Sequence, residues 1–459
     1  MTDSEAALTF IIVGASVAGL ASAIALKASG HNALILEKES HLGGTDPGGC
    51  ARVPPNGCKV LFDWGLEAQM RAKAAVNVAT SVYKYDGATT SERDLFGINR
   101  WNPEFLSEAR GEFLQFRHQD LLRILYDQAT KPSQDGSIAQ VTVLFGAEIV
   151  NVDCKNYSVT LLSGHIHTGD AIIGADGASG VVRRKLLEEE RVDPDNCDVP
   201  TGMAIYGTII PRALVVQDPD LASFYEYSTT LQLGSNRGAV TTSMGTEGDI
   251  MFWVYTPVIG QDDTRTQELD MKMTAVLGPC DPQLRKLAEL APPASCVEIQ
   301  DHYELESWVS QSGRVLVLGD AAHPFVPASM HTNSIAIEDG AFIGKIFSHT
   351  RNPDRIPEFF HAFEEHRRDR CHRIQDIQKQ YITFITLPDG EMQIERDATL
   401  RANAAAGLNV MGPNPDSEEN NWQMITETRM IFSYDPADDA DEWWMSWGRF
   451  REFADQANA

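Results

Sequence analysis

The chain has 459 residues, 43% hydrophobic and 22% charged, which is ordinary for a soluble globular protein and long enough for two or three structural units. Its formal charge of −27, from 38 basic and 65 acidic side chains, leaves no cationic excess for phosphates, which argues against nucleic-acid binding and against adhesion to anionic membranes. The seven cysteines are scattered and contain no CxxC, so reduced thiols in a cytoplasmic compartment are expected rather than a disulfide frame or a zinc site.

The apolar run from Leu8 to Leu26 is preceded by Asp3 and Glu5 and interrupted by Gly14 and Gly19, which is not the build of a signal peptide. No other run approaches the length of a membrane span. The run divides instead into a strand (Thr9 to Val13), a turn GASVAG (Gly14 to Gly19) and a helix from Val17 to Ser29 closed by Gly30. A second strand, Ala33 to Leu36, ends in Glu37. This is a βαβ unit with an acid about 20 residues after the turn, the spacing an adenosine ribose needs. Ser16 stands where the G-x-G-x-x-G fingerprint has its second glycine. It is small enough to admit a pyrophosphate, and its hydroxyl can donate to one.

Residues 43–66 are loop-rich and turn helical from about Asn56, with Pro54 and Pro55 setting the helix start. Residues 77–106 read as strands and loops outside the dinucleotide unit. RHQDLLRILYDQA (117–129) is an amphipathic helix with Leu121, Leu122, Leu125 and Ala129 inward. Arg117 at its start opposes the helix dipole, which points to a placed cation, with a solvated surface arginine as the alternative. Strands follow at 141–145, 149–153 and 158–162. Ala171 to Gly174 then delivers Asp176–Gly177 to a turn before a helix carrying Arg183 and Arg184. Residues 200–260 alternate as in a mostly antiparallel sheet, and 265–290 read as helices.

Residues 314–340 repeat the strand-end logic. A buried strand (Val315 to Leu318) exits at Gly319–Asp320 into a loop stiffened by Pro324 and Pro327. A helix follows, with Ser329 and Thr332 as its caps. A carboxylate at a strand end, facing the positive end of a helix, suits an anionic or polyhydroxylated cofactor. Further helices cover 338–386. His361, His366, Cys371 and His372 are spaced by five and six rather than four, so they do not form a helical metal site, and Glu364 with Arg367 and Arg368 reads as exposed ion pairing. The acidic tail from 388 ends in DEWWMSWGRFREF, whose Trp443 and Trp447 are expected to dock on the body or at a subunit contact.

GASVAG with Glu37, then PPNGCKVLFDWGL, RHQDL, GADGASGVVR and GDAAHPFVP…AIEDG stand in a fixed order over roughly residues 8–387. Together they resemble the FAD-dependent aromatic monooxygenases of the p-hydroxybenzoate hydroxylase and salicylate hydroxylase type. The resemblance implies an α/β fold. A Rossmann-like FAD-binding domain (1–76, 107–187, 296–345) would carry an inserted, mostly antiparallel substrate sheet (77–106, 188–295). A helical C-terminal region with an acidic tail would follow (346–459).

It also implies a cofactor site. Gly14, Ser16 and Gly19 would cradle the pyrophosphate and Glu37 would bind the adenosine ribose. Arg117 would lie near the phosphate and ribityl chain, and Asp176 and Arg183 where the FAD and NAD(P)H phosphates are handled. Asp320 would bond the ribityl or pyrophosphate region, and the amides after Pro327 would face the flavin N1–O2 edge. Lys38, Arg52, Ala321, Thr332 and Asn333 complete the implied set.

The implied reaction takes electrons from NAD(P)H, forms a flavin C4a-hydroperoxide with O2 and hydroxylates a small aromatic substrate, with secondary metabolism as a setting. Epoxidation of an indole or alkene is the alternative within flavin chemistry. An FAD-binding reductase or non-oxygenating flavoprotein is the rival from another class. A monomer and a homodimer both remain open. The chain departs from the family at His331–Thr332 (Gln-Gly is common), at Tyr206–Gly207 (Tyr-Arg is common) and at Thr242–Ser243 (Tyr-Pro is common). The phenol-activating groups therefore do not transfer, and His331, Tyr206 and Tyr225 are the candidates for substrate contact, each with a core or surface role as its alternative.

Overall fold

The strand that opens the chain, β1 (Thr9–Val13), lies at the centre of a five-stranded parallel sheet in the computed structural model, which describes residues 6–44, 48–86, 93–132, 139–259, 271–412 and 418–449. On one side β1 pairs with β2 (Asn32–Glu37), which pairs with β8 (Val141–Phe145). On the other it pairs with β12 (Ala171–Gly174), which pairs with β18 (Val315–Val317). The side chains of β12 and β18 are all buried, as expected for a parallel sheet covered on both faces. The order of connection reverses between β1 and β12, so the crevice for a ligand opens at their carboxyl ends.

The helix after the glycine turn (Val17–Ala28) packs against the helix after the proline loop (Thr332–Phe347). Glycines permit their close approach: a Cβ on Gly344 would stand 2.3 Å from Ala25 Cβ, and one on Gly340 2.6 Å from the Ala21 backbone. The proline-loop helix is pinned from its other side by the long helix Ile356–Thr386. Arg367 and Arg370 reach Glu338 at 2.7 Å each, and Arg367 reaches Asp339 at 2.9 Å. Arg367 is fully buried. Of the exposed ion pairing expected of this segment, Arg368 does pair with Glu364, but half-buried, whereas Arg367 turns fully inward.

A second sheet has seven strands in the order β17-β13-β16-β15-β14-β5-β6. These are Ser295–Asp301, Val199–Ile210, Asp249–Pro257, Gly238–Met244, Thr229–Leu233, Ala79–Lys84 and Leu95–Arg100. Every pairing is antiparallel except β14 with β5. Because β17 runs to Asp301, the chain leaves this sheet a few residues later than the boundary at 295/296 expected from sequence.

Alternation along the strands gives the sheet two different faces. Tyr206, Ile250, Phe252 and Val254 point outward under the helices Met273–Val276 and Pro282–Glu289. Ile205, Met251, Trp253 and Tyr255 point inward, where they meet Cys50, Val326, Ala328 and Tyr381. The part of the 265–290 expectation that falls on 265–270 lies outside the described residues.

A small sheet of β3 (Cys50–Val53), β7 (Leu114–Arg117) and β4 (Ala75–Val76) bridges the two large ones, and β9 (Ile149–Asp153), β10 (Ser158–Leu161) and β11 (Ile166–Thr168) form an antiparallel meander. Near the C-terminus Trp443 packs on Phe359, with ring centroids 5.2 Å apart, while Trp447 stays 69% exposed. Among the described residues no helix is long and apolar enough to cross a membrane.

Candidate active site

The carboxyl ends of β1, β2 and β12 open on a cavity of about 610 Å³ whose lining includes Gly14, Ser16, Glu37, Lys38, Asp176 and Asp320, and Thr332 and Asn333 from the helix after the proline loop. Gly14 shapes its floor. Its φ is +100°, and a Cβ there would stand 2.6 Å from the Ala175 carbonyl oxygen. Ser16 caps the following helix: its Oγ accepts from Gly19 N at 3.3 Å and donates to Ala175 O at 2.9 Å. The hydroxyl expected to donate to a ligand is thus already engaged, and what remains for a ligand is the helix N-terminus. Gly19 does not line the cavity. A Cβ at Gly19 would lie 2.1 Å from Gly14 O, so its role is to let helix and turn approach.

Glu37 leans across from the end of β2. Its two carboxylate oxygens accept from Ala15 N at 2.8 Å and Glu39 N at 2.9 Å. Asp176 accepts from Val182 N at 3.0 Å and so caps the helix Val181–Glu189. Its other oxygen is buried with no partner, and burial pushes the carboxyl up to about 6. Burial likewise raises Asp320, against the opposing charge of His323. Among the described residues the backbone donor to Asp320 is Phe325 N, at 3.4 Å, the weak end of the hydrogen-bond range. Two strand-end acids thus have acceptor capacity to spare beside the cavity.

The turn that presents Asp320 is held from behind. Asp339 accepts from Gly319 N at 2.9 Å, from His323 Nε2 at 2.7 Å and from Arg367 Nε at 2.9 Å. Burial alone would raise the Asp339 carboxyl, but the charges of His323 and Arg367 hold it below the usual range. Cys371 lies against this pair, so His323, Asp339 and Cys371 form a compact buried group. Asp339 already has all three donors, and the group serves as a brace.

The proline-loop helix begins at Thr332, with His331 as its N-cap residue. Neither Ser329 nor Thr332 acts as the expected cap: Ser329 Oγ accepts from His331 N at 3.1 Å and bonds Gln378, and no side chain caps the helix. Its first turn meets the cavity through Thr332, Asn333 and Ala336. An uncapped helix N-terminus at one end and a capped one at the other give the cavity two positive poles.

The FAD binding domain family matches residues 7–377. The chain belongs to that family. The FAD-dependent monooxygenase OpS4 of Beauveria bassiana is 25% identical over 397 residues, covering 86% of this chain and 89% of that protein. Hispidin-3-hydroxylase of Neonothopanus nambi is 24% identical over 402 residues, covering 83% and 90%. The fold matches the crystal structure of Klebsiella pneumoniae HpxO complexed with FAD and uric acid at a TM-score of 0.69 and 18% identity, covering 93% of this chain and 97% of that one. By its family the protein binds FAD, and the relatives it resembles include one named as an FAD-dependent monooxygenase and one as a hydroxylase. The cavity fits FAD, since a long, anionic and polyhydroxylated molecule meets a glycine turn, two helix N-termini and two acids with unused acceptor capacity.

In this FAD-binding protein several expected residues lie elsewhere. The Arg117 guanidinium pairs with Asp249 and lies 3.7 Å from Glu247, tying the helix start to the seven-stranded sheet. That partner explains a cation at a helix N-terminus without any phosphate. Arg183 is buried and donates to the carbonyls of Ala321, at 2.9 Å, and Tyr303. The Ala321 backbone thereby supports the Asp320 turn, and neither Ala321 nor Pro327 lines the cavity. Arg52 offers its carbonyl to Asn333 Nδ2 at 3.3 Å, but its side chain leaves the cavity, donating to Ala328 O and lying 4.9 Å from the centre of the Trp253 ring.

The three substrate-contact candidates are corrected by strand parity and packing. Tyr206 is on the outward face, where its hydroxyl accepts from Ile259 N at 3.2 Å. Tyr225 packs against that same outer cluster beneath Arg212. His331 is buried, stacks on Phe432 at 5.7 Å and has no partner at Nδ1. Burial pushes it down to about 3, so it is a neutral packing residue. The residues on the inner face, packed with Val326 and Ala328 of the proline loop, are Trp253 and Tyr255 of β16, with Tyr381 of the long helix. The alternation in DIMFWVYTP signals a strand with two faces, but a single sequence does not say which face turns inward.

Proposed function

We propose that the protein is an FAD- and NAD(P)H-dependent monooxygenase that inserts one oxygen atom of O2 into an aromatic small molecule. The observation that carries this reading is the direct junction between the cavity and the sheet: Asn333, at the cavity's end, bonds the Arg52 carbonyl, and the Arg52 side chain lies over Trp253. A substrate bound beneath the sheet is therefore adjacent to the end of the FAD site. When bound, FAD supplies electron transfer from NAD(P)H and activation of O2.

This chain's residues do the rest. The turn at Gly14 and the acids Glu37, Asp176 and Asp320 hold and orient the cofactor. The first-turn amides at Thr332 and Asn333 place positive potential at its far end. The apolar inner face around Trp253, Tyr255 and Val326 excludes water from the reacting centre and supplies flat walls for an aromatic ring. Relatives named as hydroxylases support hydroxylation, and their fungal sources support a role in secondary metabolism. All seven cysteines are free, which supports a reducing, cytoplasmic setting.

The test begins with cofactor content. Purified protein should carry FAD, and the Asp320→Ala variant should bind it with an affinity weaker by about 1–3 kcal/mol, because ribityl hydroxyls lose a buried partner. Equal FAD affinity would remove Asp320 from the site. With a turned-over aromatic, isotopically labelled O2 should put one labelled atom into the product. Consumption of NAD(P)H that yields only peroxide across an aromatic panel would instead favour a reductase.

A further inference from the structure

The family's match ends at residue 377, yet a segment far beyond it is built into the back of the cofactor half. The helix Glu418–Phe432 and the helix Pro436–Trp443 are joined by Ser433, Tyr434 and Asp435. This stretch supplies acceptors for two buried cations. Arg370 binds Glu338 and also donates to the carbonyls of Met430, at 2.7 Å, and Ile431, at 2.9 Å. Lys59 is 3% exposed, and its acceptors among the described residues all come from the joint: Ser433 O at 3.2 Å, Tyr434 O at 2.8 Å and the Asp435 carboxylate at 3.3 Å. A buried ammonium deprived of such partners is strongly unfavourable. The segment is therefore a fixed part of the fold.

Its second helix is pinned as well. Asp439 accepts from the Tyr434 hydroxyl at 2.6 Å and pairs with His366 of the long helix at 2.8 Å, while Asp441 pairs with Lys345 of the proline-loop helix at 2.9 Å. Between these anchors the segment presents Phe432. Its ring stacks on His331, with centroids 5.7 Å and planes 29° apart. Behind it lie Phe113, Trp101 and Phe105, of which Trp101 and Phe113 are themselves stacked at 3.8 Å. The His331 ring has no partner at Nδ1, so this stack is what orients it. The next two residues are Thr332 and Asn333, whose uncapped first turn meets the cavity. A displacement of His331 therefore displaces those amides.

We propose that residues 430–443 form a strap that sets the start of the proline-loop helix, with Phe432 as its positioning residue, and that through His331 the strap raises the reduction potential of bound FAD. This rests on the reading above that the amides at Thr332 and Asn333 place positive potential at one end of the cofactor. Such a potential favours the electron-rich reduced flavin over the oxidised one. Phe432 does not line the cavity and acts only through the helix start.

The test uses the FAD-loaded protein, reduced together with a dye of known potential while both visible spectra are followed. Phe432→Ala should retain FAD but lose about tenfold of its preference for reduced over oxidised FAD, a fall of about 30 mV for a two-electron couple. Phe432→Tyr keeps the ring and should stay at the wild-type potential. Thr332→Asp sets a negative charge in the first turn and serves as the control, with a lowered potential expected whether or not the strap matters. A wild-type potential in Phe432→Ala beside a lowered one in Thr332→Asp would overturn the proposal, as would equal falls in the Ala and Tyr variants. An unchanged potential in Thr332→Asp would instead remove the reading of the helix start, and the proposal with it, which separates the two failures. Should Phe432→Ala hold no FAD, His331→Ala breaks the same stack from its other side. A fall of the same size is expected there, and a wild-type potential would overturn the proposal.

Discussion

At the ends of β1 and β12 the cavity is shaped by backbone: Gly14 at φ +100°, the close contact of Gly19 with Gly14, and two helix starts. Across the proline loop the inner face of the seven-stranded sheet is shaped by side chains, with Arg52, Trp253, Tyr255 and Tyr381 arriving from three distant segments. The first region meets what all FAD molecules share with backbone turns, two helix starts and three strand-end acids. The second, as the proposed substrate region, would have to recognise one substrate among many, a task for side chains that can change without moving the chain. Both rest on one support, the buried pairing of Glu338 and Asp339 with Arg367 and Arg370.

The largest effect should come from that support. Arg367→Met leaves buried carboxylates short of charge and should cost about 3–5 kcal/mol of stability in urea unfolding, with FAD retention and aromatic binding failing together. A loss below about 1 kcal/mol would mean that the two regions stand on separate foundations.

Next comes Gly19→Ala, whose Cβ would collide with Gly14 O at 2.1 Å. Parting the turn from its helix should cost about 1–3 kcal/mol, read as weaker FAD binding by fluorescence of the released flavin. Undiminished FAD affinity would contradict a cavity made by backbone.

Gly207→Ala addresses the other region. Its new methyl would meet the Met251 Cε at 3.0 Å and the Trp253 ring at 3.1 Å. The stability cost should be about 1.5 kcal/mol at most, since Met can shift. FAD content should be unchanged while aromatic binding beneath the sheet weakens. A fall in FAD content would blur the boundary between the regions.

The smallest effect concerns His331, which is buried neutral and held down at about 3. A histidine whose folded value lies below the ordinary 6.5 contributes its full stability above pH 6.5 and loses it as pH falls toward 3. Relative to His331→Phe, the wild type should therefore lose about 1 kcal/mol between pH 7 and pH 5.5, measured as the difference between their urea midpoints. A gap that does not change with pH would mean that His331 is exposed, and a wild type that gains stability relative to the variant as pH falls would mean that it is charged.

Much of the cofactor half was legible in the residue order. A buried strand, a glycine turn and an acid at the next strand end are short-range patterns, and their chemistry follows from geometry that each segment carries within itself. Gly14, Glu37, Asp176 and Asp320 line the cavity for that reason. The choice between partners for a long charged side chain was not legible. Arg117 found Asp249, Arg183 found carbonyl oxygens, and Arg367 turned inward although its neighbour Arg368 pairs near the surface.

By itself, then, the sequence determined the parallel sheet, the turn that meets the cofactor and the strand-end acids, because local periodicity and backbone stereochemistry dictate them. Only the tertiary structure decided which face of β13 and β16 turns inward. Alternation makes two faces, and burial against the proline loop selects one, placing Trp253 and Tyr255 beside Arg52 and sending Tyr206 to the far side.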